Sequence, residues 1–303
     1  MDSLFHSILV NGSIPVKELP SCMATSLVDA ADEKVKTAWD AYRKSQVVSM
    51  SGALLNTDGF PGTEAFMKST KSNTVEWSPL SLSKLDHQSE ESYKEQQFAM
   101  KVGVDSVDNY MDCLGADRLA KGVLYNGAPG AGKTFVLQCV GLYAIALGLN
   151  VMSTSLMAIR SVELGGLNIH QLLKLPRKKA PNLFRLAQLA RECLYRRKNI
   201  ELRYIIMTMD VLLLDECGQL SAQQLAVIDI LLRHLRNNSY PFGGVLVLGS
   251  FDHRQLGCID GLPFLLSHHI LTDFCLVKLQ KSVRASRDED LQVRLKNKMM
   301  NCT

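Results

Sequence analysis

Two short stretches of the chain carry residue types suited to phosphate chemistry. Residues 127–134 read GAPGAGKT, which has the spacing G-x-x-x-x-G-K-[ST] of a phosphate-binding loop. In such a loop the glycines let successive backbone N–H groups curl round a phosphate, and the lysine adds positive charge. Residues 211–216 read VLLLDE, an apolar run that ends in two acids. Together the two stretches predict a nucleotide triphosphatase.

The chemistry of these side chains suggests a role for each. We expect Lys133 to be exposed in the empty loop and to contact the β and γ phosphates of ATP. Thr134 and Asp215 would hold Mg²⁺, and Glu216 would be the base that activates the attacking water. The simpler alternatives are a plain glycine turn and a solvated turn after a core strand. The loop residues predicted to bind nucleotide are Gly127, Ala128, Pro129, Gly130, Ala131, Gly132, Lys133 and Thr134.

The sequence around these residues predicts the elements that must position them. After residue 89, short apolar runs alternate with longer helical patterns. Strands that are apolar throughout are typical of a parallel sheet buried on both faces, so we predict an α/β domain with a doubly wound, mainly parallel sheet over residues 90–303. The predicted strands are 122–125, 149–153, 211–214, 244–249 and 274–279, and the predicted helices are 93–114, 133–147, 182–197 and 222–237.

Residues 1–89 form an amino-terminal extension whose role the sequence does not indicate. A helix is predicted over residues 30–46. The stretch that follows is rich in Gly, Ser, Thr and Asn, which predicts a loosely structured region or an arm that docks on a partner.

Composition limits the classes of protein that remain. Lys and Arg exceed Asp and Glu by 34 to 30, and this small excess does not by itself indicate an acidic partner. The eight cysteines include no C-x-x-C pair, which argues against a zinc site or a disulfide scaffold and favours a reducing, intracellular compartment. No apolar run reaches the roughly 18 residues of a membrane span, so we expect no membrane partner.

The residues between and after the two stretches narrow the class of triphosphatase. The segment STSLMAIRSVELGGLNIHQLLKLP starts at Ser153, and NNSYPFGGVLVLG follows the two acids. Both resemble motifs of PIF-type DNA helicases of superfamily 1, including those of Helitron transposons. The matching positions are Thr154, Ala158, Gly165, Gly166, Ile169 and His170 in the first segment and Asn237, Pro241, Phe242, Gly243 and Gly244 in the second.

Two motifs near the carboxyl end extend the resemblance. Asp252, Gln255 and Leu256 in GSFDHRQLG are similar to the family's aspartate-x-x-glutamine-leucine motif, whose glutamine senses the γ phosphate. The stretch LQKSVRA resembles the motif that presents an arginine to the nucleotide, which places Arg284 there. By this resemblance Gln255 and Arg284 join Glu216 as catalytic residues.

A motif near residue 96 completes the resemblance, which covers about residues 93–285. YKEQQFA is similar to the family's adenine-reading motif. Gln96 is favoured as its glutamine because Ala99 follows at the expected interval, and Gln97 is the alternative.

The resemblance implies a RecA-like P-loop NTPase fold and a function. It implies an ATP-dependent DNA helicase or translocase of the 5′-to-3′ type that uses ATP and Mg²⁺, moves on single-stranded DNA and serves DNA repair and recombination. It also implies a nuclear location. ATP binding would close two motor domains and hydrolysis would reopen them, so that their alternating grip on the strand would produce stepping.

Several residues are candidates for contact with DNA. Arg196 and Arg197 belong to a basic stretch between residues 174 and 203, which could follow a nucleic-acid backbone or be a solvated helix face. Thr154 and His170 lie in the family's motifs, and His170 could instead cap a loop or pack locally.

The sequence also departs from the family pattern. Ser250 and Phe251 separate Gly249 from Asp252, and Gly257 and Cys258 replace two prolines. No second RecA-like domain with its own arginine motif is identifiable, so we expect a first motor domain whose second half is absent or supplied by a partner chain. The alternatives are a truncated remnant of a mobile-element helicase, which binds ATP or DNA without efficient turnover, and a signalling ATPase switch.

Overall fold

The computed structural model describes residues 21–282 except for 53, 56–58, 73–76, 81–89, 114–119, 176–181, 256 and 259. Arg284, which the resemblance places at the nucleotide, lies outside the described residues, as do the basic residues Arg177, Lys178 and Lys179. Among the helices that are described, none is long and apolar enough to cross a membrane.

Within the described residues, six parallel strands form one sheet in the order β3-β2-β4-β5-β1-β6. Because the strands are parallel, their carboxyl ends share one edge of the sheet, where ligands bind in folds of this kind. The strands are β1 (Gly122–Gly127), β2 (Val151–Ser155), β3 (Leu167–Asn168), β4 (Val211–Asp215), β5 (Leu246–Phe251) and β6 (Phe274–Leu279).

All five predicted strands are present, and two of them are displaced by two residues. β5 begins at Leu246 rather than 244 because the preceding Pro241–Gly244 segment forms a turn, with Phe242 at φ 52° and Gly243 at φ 63°. This turn aims the next strand, as expected of a Pro-Phe-Gly-Gly corner. The sequence did not predict β3, because a two-residue strand shows no periodic pattern.

The described helices surround the sheet. Four of the five predicted helices are present within a few residues of their expected ends. The fifth, predicted over residues 30–46, is longer and runs from Ser21 to Ser51, and the remaining helices were not predicted. The helices are α1 (Ser21–Ser51), α2 (Thr63–Ser72), α3 (Glu90–Cys113), α4 (Lys133–Ala146), α5 (Ala158–Glu163), α6 (Ile169–Leu172), α7 (Leu183–Leu194), α8 (Ile200–Thr208), α9 (Ala222–Arg236) and α10 (His269–Thr272).

Each face of the sheet has its own apolar core. In β4 the side chains of Leu212 and Leu214 lie in one cluster, whereas Val211 and Leu213 lie in the other. Helices α7, α8 and α9 contribute to the first cluster, and α3 and α4 contribute to the second. Burial on both faces explains why the strands are apolar throughout.

The amino-terminal helix α1 contributes to both cores. Val35 and Trp39 belong to the first cluster, and Val47 and Met50 belong to the second. The indole Nε1 of Trp39 also donates a hydrogen bond of 2.9 Å to Oγ1 of Thr208. The helix therefore passes round the edge of the sheet formed by β2 and β3.

The expectation of a loosely structured stretch after this helix is wrong for the residues that are described. Phe60, Phe66 and Trp77 form an aromatic cluster with ring centroids 5.4–5.9 Å apart. Phe66 and Trp77 are buried in the same core as α3 and α4. The three aromatic side chains order this stretch despite the turn-forming residues around them, because an aromatic side chain buries a large apolar area. The division of the chain at residue 89 stays a prediction.

Candidate nucleotide-binding site

The phosphate-binding motif lies where β1 ends and α4 begins, at the carboxyl edge of the sheet. Gly130 and Gly132 have φ angles of 79° and 83°, in the left-handed region that glycine adopts without steric cost. Helix α4 starts after Gly132 with no side chain capping it. The N–H groups of its first turn therefore have no partner within the helix and can bind an anion.

Lys133 is buried rather than exposed, which corrects the sequence-based expectation. Its side chain is 7% exposed, and its Nζ donates hydrogen bonds of 2.7 and 3.1 Å to the carbonyl oxygens of Gly127 and Ala128. Burial lowers the pKa of the ammonium group, while the nearby carboxylates, Asp252 first, act in the opposite direction. The carbonyl oxygens of the loop thus hold the ammonium group against the phosphate-binding motif.

Asp215 ends β4 beside this loop. The Oγ1 atom of Thr134 lies 3.4 Å from both of its carboxylate oxygens. The hydroxyl of Ser250 donates a hydrogen bond to Oδ1 of Asp215. Ser250 reaches Asp215 because Leu214 and Gly249 are partners in the pairing of β4 with β5. Asp215 and Ser250, the next residues of the two strands, therefore also lie side by side.

Ser250 is a residue that the sequence analysis noted only as a departure from the family pattern. It is fully buried, and burial raises the pKa of Asp215 while the hydrogen bond from Ser250 acts to lower it. Its position could have identified it, because Ser250 lies near the carboxyl end of β5, the strand that pairs with the VLLLDE strand β4. The serine favours the ionised form of the acid, which is the form that binds a cation.

Glu216 follows in an unusual backbone conformation. Its φ of 54° is in the left-handed region, and the chain turns there from β4 into the short helix Cys217–Gln219. Burial and the neighbouring Asp215 raise the pKa of its carboxyl group. Cys217 is fully buried, as expected of a residue at the end of a core strand.

The segment after β5 brings a third carboxylate to this edge. Asp252 is buried, and its Oδ1 accepts a hydrogen bond of 3.0 Å from the backbone N–H of Arg254. Its Oδ2 is buried with no partner among the described residues. Gln255 is in the same turn, with its N–H 3.2 Å from the carbonyl oxygen of Asp252, and is exposed. A γ-phosphate sensor at Gln255 stays a prediction.

Gln96 of α3 packs against the phosphate-binding loop. It is buried, and its Nε2 donates a hydrogen bond of 2.8 Å to the carbonyl oxygen of Ala131. Its Oε1 is buried without a partner in the described structure. Gln97 is only partly buried. The position of Gln96 against the loop agrees with its choice over Gln97.

The end of β6 leads towards the same loop. Glu95 accepts hydrogen bonds of 2.7 and 2.9 Å from the N–H groups of Gln280 and Lys281, and the hydroxyl of Ser282 lies 3.4 Å from the carbonyl oxygen of Pro129. The last residues described before Arg284 are therefore beside the phosphate-binding loop. The role of Arg284 itself stays a prediction.

The residues at this edge fit a magnesium ion held together with phosphate groups. Mg²⁺ is bound in such sites by one or two protein oxygens, with water and phosphate completing the shell. Thr134 and Asp215 offer a hydroxyl and a carboxylate side by side. Within the described part of the chain no three His, Cys, Asp or Glu residues cluster as a metal site of their own. The donor set thus suits a metal that is shared with a nucleotide.

Comparison with known proteins decides the family. The sequence model of the family described as PIF1-like helicase matches residues 104–262, which is more than half of the 303 residues. The chain belongs to the PIF1-like helicase family. The two acids of β4, the phosphate-binding loop and the turn after β5 all lie within the matched region.

Two curated helicases and one solved structure illustrate the relationship. ATP-dependent DNA helicase Pif1 of Psychrobacter sp. (strain PRwf-1) is 26% identical over 190 residues, which covers 59% of this chain and 28% of that protein. ATP-dependent DNA helicase PIF1 of Saccharomyces cerevisiae (strain YJM789) is 28% identical over 148 residues, which covers 46% of this chain and 16% of that protein. The match therefore spans less than a third of the length of either relative.

The solved structure confirms the fold. The crystal structure of Pif1 helicase from Candida albicans has a TM-score of 0.54 and 18% sequence identity, and the match covers 67% of this chain and 43% of that chain. The RecA-like P-loop NTPase fold predicted for this member of the PIF1-like helicase family is thus confirmed.

The candidate DNA contacts of the PIF1-like helicase pattern lie in different environments. Thr154 is fully buried within β2, so its side chain has no surface through which the predicted contact could act. The backbone N–H of His170 donates a hydrogen bond of 3.0 Å to the side chain of Asn168, so Asn168 and not His170 is the capping residue. The Nδ1 atom of the His170 ring is buried without a partner among the described residues. Arg196 and Arg197 are exposed.

The basic stretch is therefore not a single solvated face. Arg203, which belongs to it in sequence, is buried, and its guanidinium carbon lies 4.5 Å from the ring centroid of Tyr195. Packing thus separates this arginine from the exposed ones, a distinction that charge alone could not make.

Proposed function

We propose that this protein is the motor unit of an ATP-dependent DNA helicase that couples ATP hydrolysis to movement on single-stranded DNA. One observation carries the proposal. An uncapped helix terminus, the ammonium group of Lys133 and the paired oxygens of Thr134 and Asp215 lie together at the carboxyl edge of a parallel sheet. This edge is where doubly wound folds bind nucleotides.

The side chains would divide the chemistry among them. The N–H groups of the phosphate-binding loop and Lys133 would hold the β and γ phosphates, which orients the γ phosphate for in-line attack. Thr134 and Asp215 would hold Mg²⁺, which when bound supplies positive charge at the phosphate oxygens. Glu216 would accept a proton from the attacking water, and its raised pKa makes it a stronger base than an ordinary glutamate.

Two residues would report the state of the γ phosphate. Gln255 follows Asp252 at the carboxyl end of β5, and Arg284 follows a segment that lies beside Pro129. Movement of either group on loss of the phosphate would shift the segment that carries it. Such a shift is the kind of small displacement that motor proteins enlarge.

Stepping on DNA would require a second grip. The described residues form one RecA-like unit, and alternating grip needs two units that open and close. The second unit would come from this polypeptide or from a partner. Movement along the strand would be in the 5′-to-3′ direction, as the family resemblance implies.

The test is ATP hydrolysis by the full chain in the presence of Mg²⁺, measured with and without single-stranded DNA. We expect slow hydrolysis that single-stranded DNA stimulates. Glu216→Gln is the matched control, because it keeps the shape of the side chain and removes the base. That variant should bind ATP with unchanged affinity and lose hydrolysis.

Two results would count against the proposal. Absence of hydrolysis by the wild-type chain, with ATP binding retained, would favour the non-catalytic remnant. Hydrolysis that is equal in the wild-type and Glu216→Gln proteins would show that the activity does not come from this site.

A further inference from the structure

An exposed aromatic side chain lies in a groove between α7 and α9, away from the nucleotide-binding edge. Phe184 is 71% exposed, although most large apolar residues of α7 face the core. The groove is lined by Phe184, Ala187, Gln188 and Arg191 of α7 and by Ile230 and His234 of α9. A phenylalanine exposed in a groove offers a flat aromatic face on which another ring can stack.

Exposed arginines lie along and beyond the helix that carries Phe184. Arg191 lines the groove and Arg185 is exposed next to Phe184 in sequence, whereas Arg196 and Arg197 are exposed beyond the far end of α7. Glu192, the acid of α7, already lies 3.7 Å from Arg185 and accepts a hydrogen bond of 3.0 Å from Gln188. The charge around the groove is therefore that of a surface for a polyanion.

This groove is separate from the nucleotide site. α9 begins just after the acids of β4 and ends before the turn that leads to the amino end of β5, so it runs from the carboxyl edge of the sheet to the amino edge. His234 lies twelve residues after the first residue of α9, roughly 18 Å along the helix axis at 1.5 Å per residue. A ligand in the groove would touch neither Lys133 nor Asp215.

We propose that this groove binds one base of single-stranded DNA, with Phe184 stacked on the base and the exposed arginines along and beyond α7 on phosphates of the same strand. The inference rests on the proposed function, because it takes single-stranded DNA as the polymer on which the protein acts. An aromatic platform within a basic surface is how proteins hold unpaired strands without reading their sequence. The groove gives the strand a second point of attachment, on the flank of the motor unit.

The experiment measures the affinity of the full chain for a fluorescent oligothymidylate and for an abasic strand of equal length, over a series of salt concentrations. Phe184→Ala should weaken binding of oligothymidylate by about tenfold, since stacking on one base contributes about 1–3 kcal/mol. It should not weaken binding of the abasic strand, which offers phosphates but no base. Phe184→Trp should retain the affinity.

Two further variants separate stacking from charge and from general loss of apolar surface. Arg196→Glu with Arg197→Glu should reduce the dependence of log affinity on log salt, whereas Phe184→Ala should leave that dependence unchanged. Leu271→Ala removes another exposed apolar side chain, 84% exposed on α10, and should bind as the wild type does. Equal melting temperatures of the variants show that folding is not the cause.

The outcomes distinguish this inference from the proposed function. If the wild type binds oligothymidylate and Phe184→Ala binds it equally well, the groove does not hold a base, and a protein segment becomes the better candidate for it. Equal weakening on the oligothymidylate and the abasic strand would also exclude stacking. If the wild type binds neither strand, the proposed function itself fails.

Discussion

The side-chain amide of Gln46 donates a hydrogen bond of 2.9 Å to the carbonyl oxygen of Val151, across 105 residues of sequence. Gln46 is fully buried, and Val151 begins the strand β2. The helix is therefore a structural part of the ATPase fold, whatever further role the extension has.

We expect Gln46→Ala to lower the free energy of unfolding by about 1–3 kcal/mol, because it leaves a buried carbonyl oxygen without its donor. Lys44→Ala, at an exposed position of the same helix, is the control and should change stability by less than about 0.5 kcal/mol. Urea unfolding measures both. Equal effects of the two substitutions would mean that the helix contributes through its apolar face alone.

Gly165 should tolerate no side chain, because a Cβ atom there would lie 2.6 Å from Cα of Gln46. Its φ of 66° is also in the left-handed region. We expect Gly165→Ala to cost about 2 kcal/mol or more, as strain and a clash with backbone combine.

The matched control is Gly148→Ala. Gly148 has a φ of 83°, but a Cβ atom would meet nothing within 4 Å. The difference in unfolding free energy between the two alanine variants therefore isolates the contact with α1. No difference would indicate that α1 shifts to make room.

Lys133→Ala should abolish measurable ATP binding, because the positive charge that faces the phosphates is lost. The melting temperature should change little. The substitution removes two hydrogen bonds to loop carbonyls, which lowers stability, but it also removes a buried charge, which raises stability. Lys133→Met keeps the apolar stem of the side chain and should give the same loss of binding. Retained affinity for a fluorescent ATP analogue in either variant would contradict the assigned role.

Tyr143→Phe should change how stability depends on pH. The hydroxyl of Tyr143 donates a hydrogen bond of 2.8 Å to Asp108, and burial, followed by this contact, raises the pKa of the phenol to about 12. Between pH 10 and 12 the unfolded chain releases this proton while the folded protein keeps it, so stability falls as pH rises through that window.

Tyr143→Phe has no phenolic hydroxyl, so its stability does not include this titration. We therefore expect the wild type to be more stable than Tyr143→Phe at pH 8 and to lose that lead progressively above pH 10. Urea unfolding at pH 8, 9.5 and 10.5 measures the difference. A lead that is constant with pH would mean that the hydrogen bond does not hold the proton on the phenol.

The candidate site at the carboxyl edge of the sheet was predictable because the order of its residues along the chain determines where they lie. A strand that ends in Asp215 and a glycine-rich loop that opens a helix each determine their local structure, and parallel strands bring their carboxyl ends together. The burial of Lys133 was not predictable in this way. It depends on the direction of two loop carbonyls, and a sequence pattern does not specify that direction.

The amino-terminal region was the least predictable part of the fold. The partners of α1 are Val151 and Thr208, which lie far along the chain, and no local pattern points to them. Ser250 was missed as a partner of Asp215 for a similar reason, since their contact depends on the register of two strands. Tertiary contacts of this kind override local propensity.

The long reach of α1 has a consequence for synthesis on the ribosome. Trp39 emerges 169 residues before its partner Thr208, a delay of roughly 10–30 s at ordinary rates of translation. Throughout that time Trp39 lacks the residues of α8 and β4 with which it shares a core. The apolar face of α1 is thus left partly uncovered while the chain is made, and the fold closes only when β4 and its neighbours have been made.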